Sequence, residues 1–145
     1  MLNSTRRAYP MNGECNRTGG TARDRCRLLI VDDMPAIRLL LREIACAEGF
    51  EVTESWNLAH ANAQLVAVRP NIVLLDRGLP DGDGLTLLDQ IRALDPSINV
   101  IVVTASDERH RVQEAIARGV HRYIIKPFKP HHVRAELQRF LRLPV

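Results

Sequence analysis

Four short apolar runs in the sequence each end in side chains that can do chemistry. In chain order these side chains are Asp32 and Asp33, Asp76, Thr104, and Lys126. An isolated Asp after such a run is most often a loop cap or a turn residue. If the runs are parallel strands of one sheet, however, their carboxyl ends lie along one edge. Three carboxylates, a hydroxyl and an ammonium group then converge there.

Carboxylates brought together in this way favour the binding of a cation. Two unit charges about 4 Å apart interact by about 4 kcal/mol at an effective dielectric constant of about 20. Either one carboxyl group is protonated or a cation binds, and Mg²⁺ (or Mn²⁺) suits oxygen ligands shared with phosphate. A metal ion, the Lys126 ammonium and the Thr104 hydroxyl around Asp76 suit transfer of a phosphoryl group to that carboxylate, with Asp76 as the in-line nucleophile.

Hydrophobic periodicity predicts that alternating strands and helices position these side chains. The predicted strands are Leu28–Val31, Phe50–Glu54, Ile72–Leu75, Val100–Val103 and Tyr123–Ile125. A helix is predicted after each strand, and the first four helices end near Gly49, Arg69–Pro70, Asp95–Pro96 and Gly119. This alternation predicts an α/β, doubly wound (βα)5 fold of the flavodoxin-like type, with a five-stranded parallel sheet of order 2-1-3-4-5. The second strand is of mixed polarity and is expected at an edge of the sheet.

Composition and charge agree with a single globular domain. The chain has 145 residues, of which 46% are hydrophobic and 26% charged, and no apolar run is long enough to span a membrane. The net charge of +3 is uneven, being +4 over residues 1–27, −6 over residues 28–106 and +5 over residues 107–145. The acidic middle segment favours a cation site, and the basic end favours a separate partner surface.

The N-terminal segment and the cysteines carry less information. Residues 1–26 lack hydrophobic periodicity and are predicted to be a flexible tail, followed by one domain over residues 27–145. The three cysteines form no CxxC pair, which favours reduced thiols without a zinc site or a disulfide framework. The run Asp81–Gly84 lacks the spacing of an EF-hand, so it is interpreted as turn and N-cap residues.

Four motifs in this order resemble the receiver domain of bacterial two-component response regulators, including the chemotaxis regulators. They are Leu29–Asp33, Asp76–Gly84, Thr104–Ala105 and Tyr123–Phe128. The resemblance covers residues 27 to about 142. More loosely, Gly119–Val120 ahead of Tyr123 looks like the branch that answers citrate and dicarboxylate sensors.

The resemblance implies a role for each site residue. Asp76 would accept the phosphoryl group of a histidine kinase, and Mg²⁺ would be bound by Asp33, Asp76, the Gly78 carbonyl oxygen and, through water, Asp32. It also implies that Lys126 pairs with the phosphoryl oxygens and precedes a cis peptide bond. Thr104 would move to hydrogen-bond the phosphoryl group and Tyr123 would rotate inward.

The resemblance further implies a cytoplasmic phosphoacceptor that assists its own phosphorylation and dephosphorylation without being an enzyme for other substrates. Its expected partners are a sensor histidine kinase or a phosphotransfer protein, an output partner at the surface of the fourth helix, fifth strand and fifth helix, and a second copy of the chain. Membranes and direct nucleic-acid binding are not expected.

The sequence departs from the family pattern at two places, and several alternative functions remain open. Gly78 replaces a side chain near the phosphoryl group in many relatives, and His121–Arg122 replaces a common acidic pair. One alternative is the receiver part of a longer DNA-binding transcriptional regulator. Another is a phosphohydrolase with an aspartyl-phosphate intermediate, although such enzymes usually carry a second Asp at the position of Gly78. A flavin protein is disfavoured because Asp32 and Asp33 would repel its phosphate.

Overall fold

A computed structural model of the protein describes residues 25–105 and 109–142. It contains five main strands, β1 to β5, at Arg27–Val31, Glu51–Ser55, Ile72–Leu75, Asn99–Thr104 and Arg122–Ile125. Five α-helices, α1 to α5, lie at Pro35–Ala47, Leu58–Val68, Leu87–Leu94, Arg109–Ala117 and Pro130–Leu141. The predicted flexible tail lies outside the described residues, apart from Arg25 and Cys26.

The five main strands form one parallel sheet of order β2-β1-β3-β4-β5, which confirms the predicted topology. Register pairs Val31 with Leu75 and Leu75 with Val102, so β1 and β3 end side by side. Thr104 pairs with Ile125 at the far edge. The residues that follow each strand therefore lie along one edge of the sheet.

Alternating residues of the apolar strands pack on opposite faces of the sheet. Leu29, Val31, Val73, Leu75, Val100 and Val102 belong to a core shared with α2, α3 and α4. Leu28, Ile30, Ile72, Leu74, Ile101 and Val103 belong to a second core shared with α1 and α5. Because both faces are covered, the central strands are continuously apolar, whereas the edge strands β2 and β5 are only partly buried.

The loop between β3 and α3 has more structure than the sequence predicts. Gly78–Leu79 and Gly82–Asp83 form a two-residue antiparallel hairpin, and Gly84–Thr86 forms a 3-10 turn. A Cβ atom at Gly84 would overlap the Asp76 carbonyl oxygen, so this close approach requires glycine. Strands of two residues are too short for a periodic signal, which explains why the sequence indicates only a loop.

The prediction of reduced thiols is wrong at Cys26. The structure places Cys26 in a disulfide, whereas Cys46 is a free and exposed thiol. Disulfide pairing depends on distance in space, which an odd cysteine count and the absence of CxxC do not reveal.

No helix within the described part of the chain has the length and apolar character needed to cross a membrane.

Candidate functional site

The centre of the site is a buried ion pair network at the ends of β1, β3 and β5. Lys126 Nζ lies 2.7 Å from Asp32 Oδ2 and 3.1 Å from Asp76 Oδ2. Asp32 is 1% exposed and Asp76 is 6% exposed, so the ammonium group bridges two carboxylates largely removed from water. Backbone hydrogen bonds from Asp32 to Ser55 and from Asp76 to Val31 continue the sheet into the site.

Backbone amides also donate hydrogen bonds to the two buried carboxylates. The Met34 amide donates to Asp32 Oδ1 at 2.9 Å, and the Gly78 amide donates to Asp76 Oδ1 at 3.1 Å. Each carboxylate thus has one oxygen on a backbone amide and the other on Lys126. This arrangement fixes the direction in which Asp76 presents its oxygens.

Burial and charge act in opposite directions on the pKa values of this network. Burial raises the pKa of Asp32 above its ordinary value, although the hydrogen bonds from Lys126 and Met34 lower it. Burial lowers the pKa of Lys126, but the hydrogen bonds and charges of Asp32 and Asp76 outweigh burial and raise it overall. Lys126 therefore remains an ammonium ion in this site.

Asp33 supplies the exposed member of the carboxylate cluster. Asp32, Asp33 and Asp76 each offer an oxygen, and these oxygens lie within 4.8 Å of one another. Asp33 is exposed while the other two residues are buried, so the cluster opens to solvent on one side. Hard oxygen donors at this spacing fit Mg²⁺, whereas they offer no sulfur or imidazole ligand for a softer metal.

The remaining predicted site residues, Thr104 and Tyr123, lie on β4 and β5. Thr104 is the last residue of β4 and is 3% exposed, and its carbonyl oxygen accepts a hydrogen bond from the Lys126 amide at 2.8 Å. The Lys126–Pro127 peptide bond is cis, as the resemblance implies. Tyr123 is not part of the carboxylate cluster. It is partly buried against the core shared with α2, α3 and α4.

Comparison with known proteins decides what this arrangement is. A family model for the response regulator receiver domain matches residues 28–138. The chain belongs to this family. The receiver identity also accounts for the ordered motifs at the four strand ends, since receiver domains are phosphoacceptors of two-component signal transduction that bind Mg²⁺ at an acidic cluster.

Individual relatives agree with this assignment. The chain is 39% identical over 114 residues to a chemotaxis protein CheY of Listeria monocytogenes, covering 78% of this chain and 96% of that protein. It is 34% identical over 117 residues to a sporulation initiation phosphotransferase F of Bacillus subtilis, covering 81% and 94%. A solved CheY-like receiver domain of Methanospirillum hungatei has a TM-score of 0.75 at 30% identity, covering 80% and 93%.

Other relatives are transcriptional regulatory proteins. The chain covers only 48% and 52% of two of these proteins. The looser resemblance to the citrate and dicarboxylate branch finds no support among these relatives.

Sequence reasoning missed one buried charge at this receiver site. Arg77 directly follows Asp76 and is 2% exposed. Its guanidinium group donates to Asp83 Oδ2 and Glu114 Oε1, both at 2.9 Å, and to the Arg111 carbonyl oxygen at 2.8 Å. The Tyr123 side chain also interacts with Arg77 and contributes to its raised pKa. The only sequence signal was an Arg between a strand and a glycine, which ordinarily indicates an exposed turn.

The electrostatics of Arg77 follow from these partners. Burial lowers its pKa, but the hydrogen bonds to Asp83 and Glu114 outweigh burial and raise the pKa overall. The pKa of Asp83 is lowered, because the hydrogen bonds from Arg77 and from the Leu85 amide outweigh the effect of burial. The pair is therefore charged throughout the neutral pH range.

The interpretation of Asp81–Gly84 as turn and N-cap residues is confirmed. The Asp81 carboxylate accepts hydrogen bonds from the Leu58 and Ala59 amides at the start of α2, at 2.8 and 3.1 Å. The Asp83 carboxylate accepts from the Leu85 amide at 2.9 Å. These contacts fix the hairpin that carries Gly78 beside Asp76.

Proposed function

We propose that Asp76 accepts a phosphoryl group from the phosphohistidine of a sensor histidine kinase or a phosphotransfer protein. The observation that supports this most directly is the Asp32–Lys126–Asp76 network beside Asp33. In the transfer, the bond between phosphorus and the histidine nitrogen breaks, a bond between phosphorus and an Asp76 oxygen forms, and the imidazole is the leaving group. A carboxylate attacks through an oxygen lone pair, so the transfer does not need a separate base to activate the nucleophile.

The neighbouring residues have distinct roles in this proposal. Asp33, Asp76 and the Gly78 carbonyl oxygen would hold Mg²⁺ directly, and Asp32 would assist through water. When bound, Mg²⁺ neutralises charge on the phosphoryl oxygens and the carboxylates. Lys126 turns from bridging two carboxylates to pairing with a phosphoryl oxygen. Its position 3.1 Å from Asp76 Oδ2 supports this role, because a small movement suffices.

Phosphorylation changes a surface distant from the metal site in this proposal. Thr104 hydrogen-bonds the phosphoryl group and Tyr123 rotates inward, which rearranges the α4–β5–α5 surface for an output partner. A shallow groove on this surface is lined by residues that include Tyr123, Ile125, Pro127 and His131. A homodimer through the same elements and action in the cytoplasm belong to the same proposal. In this proposal the protein catalyses no reaction other than its own phosphorylation and dephosphorylation. Residues 27–145 form the receiver domain.

A second candidate is the receiver part of a longer transcriptional regulator. The observation that favours it is the match to regulators of which the chain covers about half. The phosphoacceptor chemistry is the same in both candidates, and they differ only in the output that the α4–β5–α5 surface contacts. Sequencing of the transcript beyond the codon for Val145 distinguishes them.

The decisive experiment is incubation with acetyl phosphate, with and without Mg²⁺, followed by intact mass measurement. Wild type is expected to gain one phosphoryl group only with Mg²⁺, and Asp76→Asn is expected to gain none. Asp89→Asn is the matched control, because Asp89 is an exposed Asp on α3 whose side chain pairs with Arg118, away from the carboxylate cluster. An adduct that persists in Asp76→Asn, or no adduct on wild type, would contradict the proposal.

A further inference from the structure

The contacts of Arg77 connect the residue after the phosphoacceptor to the helix that the proposed switch must move. Its backbone carbonyl oxygen accepts hydrogen bonds from Gly84 at 2.8 Å and from Leu79 at 3.1 Å, so its main chain is fixed beside Asp76. Its guanidinium group reaches α4 at the Arg111 carbonyl oxygen and the Glu114 carboxylate. One side chain thus spans the distance from the site to the first turns of α4.

Helix α4 has little apolar packing to hold it in place. Over its described residues, Arg109–Ala117, only Ala115 is buried, and Ile116 is 57% exposed. By contrast, α3 and α5 each bury three apolar residues. The polar contacts of Arg77 therefore supply a large share of what fixes α4 against the sheet, since elements with few buried apolar contacts open at low free energy.

Tyr123 belongs to the same network. Its side chain interacts with Arg77, where it contributes to the raised pKa of the guanidinium group, and packs, partly buried, against the core beneath α4. An inward rotation of Tyr123 must rearrange this interaction with Arg77. A shift of α4 must likewise lengthen the contacts of Arg77 to Arg111 and Glu114.

From this geometry we propose that Arg77 is a positioning residue that holds α4 and Tyr123 in the unphosphorylated arrangement, so that phosphorylation of Asp76 works against it. This inference rests on the proposed function, because it names what opposes that function's conformational change. The guanidinium group of Arg77 hydrogen-bonds Asp83, Glu114 and the Arg111 carbonyl oxygen, and within the described part of the chain it forms no hydrogen bond with the carboxylates of the cluster. It sets how much of the free energy of phosphorylation is used to release α4.

The first arm of the test uses the unphosphorylated protein and does not depend on phosphoryl chemistry. Amide hydrogen exchange in α4 is compared in wild type, Arg77→Met and Arg27→Met. Met fills the space of the Arg side chain without its charge. Arg27 is a matched control, because it is 8% exposed and donates to the Val68 and Arg69 carbonyl oxygens, away from α4. Exchange in α4 is expected to rise about tenfold in Arg77→Met alone, while exchange in β3 stays unchanged.

The second arm measures binding of beryllofluoride, a phosphoryl mimic, by calorimetry in Mg²⁺. Because coupling is reciprocal, a side chain that opposes the switched state also weakens binding of the mimic. Arg77→Met is expected to bind beryllofluoride about five- to tenfold more tightly than wild type. Arg77→Lys keeps the charge but lacks the planar guanidinium group that bonds Asp83, Glu114 and the Arg111 carbonyl oxygen together, so it is expected to fall between the two.

A third variant covers the case in which Arg77→Met fails to fold. Glu114 is 51% exposed, and Glu114→Gln keeps an acceptor oxygen while removing the charge that pairs with Arg77. In Glu114→Gln we expect faster amide exchange in α4 and tighter beryllofluoride binding than in wild type. Both effects are expected to be smaller than in Arg77→Met. The effect of Arg77→Met is expected to shrink in the Glu114→Gln background.

The outcomes separate this inference from the proposed function. Unchanged α4 exchange in Arg77→Met and Glu114→Gln would overturn the inference. Faster exchange with unchanged beryllofluoride affinity would also overturn it, because Arg77 would then be structural only. Faster exchange together with no acetyl phosphate adduct on wild type would support Arg77 as the residue that holds α4 and would overturn the proposed function instead.

Discussion

At the scale of single residues, Lys126 decides the electrostatics of the site. It bridges Asp32 and Asp76, and its side chain is only 10% exposed. The two carboxylates would repel each other at low dielectric without this ammonium group. Lys126 thus stabilises the resting site and, by its positive charge, competes with a bound cation.

Replacement of Lys126 by Met is expected to have two opposite effects. In Mg²⁺-free buffer, the free energy of unfolding is expected to fall by about 3 kcal/mol, because two buried carboxylates lose their partner. The affinity for Mg²⁺ is expected to rise, because the site becomes more negative. Urea denaturation and a Mg²⁺ titration measure the two quantities.

Lys129→Met is the control for this prediction. Lys129 is exposed and makes no side-chain cap bond at the start of α5, so its replacement is expected to change stability by no more than about 0.5 kcal/mol. Unchanged Mg²⁺ affinity in Lys126→Met would show that the bridge does not compete with the cation.

The predictability of the site differs from residue to residue. Asp32, Asp76 and Lys126 could be predicted because each follows an apolar strand, and strand ends in a parallel sheet share an edge. Arg77 could not be predicted. Its burial depends on acceptors from the hairpin and from α4, and no local pattern reveals contacts between residues so far apart in sequence.

At the scale of elements, His121, which stands where an acidic residue is common in the family, has a structural role. His121 Nδ1 accepts a hydrogen bond from the Val100 amide at 3.0 Å, which joins the start of β5 to the start of β4. The acceptor nitrogen must be unprotonated, so the bond requires neutral imidazole. Partial desolvation of the imidazole ring, and then the charge of Arg92, lower the pKa of His121 below its ordinary value of 6.5.

This lowered pKa predicts a pH dependence of stability. The unfolded chain binds more protons than the folded chain between the lowered pKa and about 6.5, so the free energy of unfolding falls as pH decreases through that interval. His121→Asn, whose amide oxygen accepts the same bond without titrating, is expected to reduce this fall. Urea denaturation at about pH 7 and about pH 5.5 measures it.

His131→Asn serves as the control, because His131 is exposed on α5. It is expected to retain the pH dependence of wild type. The same pH dependence in His121→Asn would show that another group is responsible.

How well an element can be predicted from the sequence depends on its length. The main strands and helices were predictable because each repeats its apolar positions several times, and both faces of the sheet demand continuous apolar runs. The hairpin at Gly78–Asp83 repeats nothing and depends on contacts with other segments, such as those of the Asp81 carboxylate with the first amides of α2 and of Gly84 with the Asp76 carbonyl oxygen.

At the scale of the whole molecule, the fold brings side chains of the acidic middle segment and of the basic end together at one site. The acidic middle segment supplies Asp32, Asp33 and Asp76, and the basic end supplies Lys126. A divalent cation that binds the folded cluster, but not the unfolded chain, stabilises the entire fold by mass action.

Mg²⁺ is therefore expected to raise the melting temperature, and EDTA is expected to reverse the rise. At about 100 times the dissociation constant, the stabilisation is about 2.7 kcal/mol. Asp33→Asn is expected to lose most of this effect, whereas Asp89→Asn retains it. Thermal melts with and without Mg²⁺ measure the difference, and an equal Mg²⁺ response in Asp33→Asn would place the cation elsewhere.

The edge position of β5 has a consequence for when the site exists during synthesis. Within the described sheet β5 pairs only with β4, and Lys126 directly follows it. A nascent chain in which β1 and β3 have paired already holds Asp32 and Asp76 side by side, but their ammonium partner emerges from the ribosome about 50 residues after Asp76. The carboxylate cluster therefore gains its ammonium partner only after its two buried carboxylates have been synthesised, and the growing chain passes through a stage that has these carboxylates without Lys126.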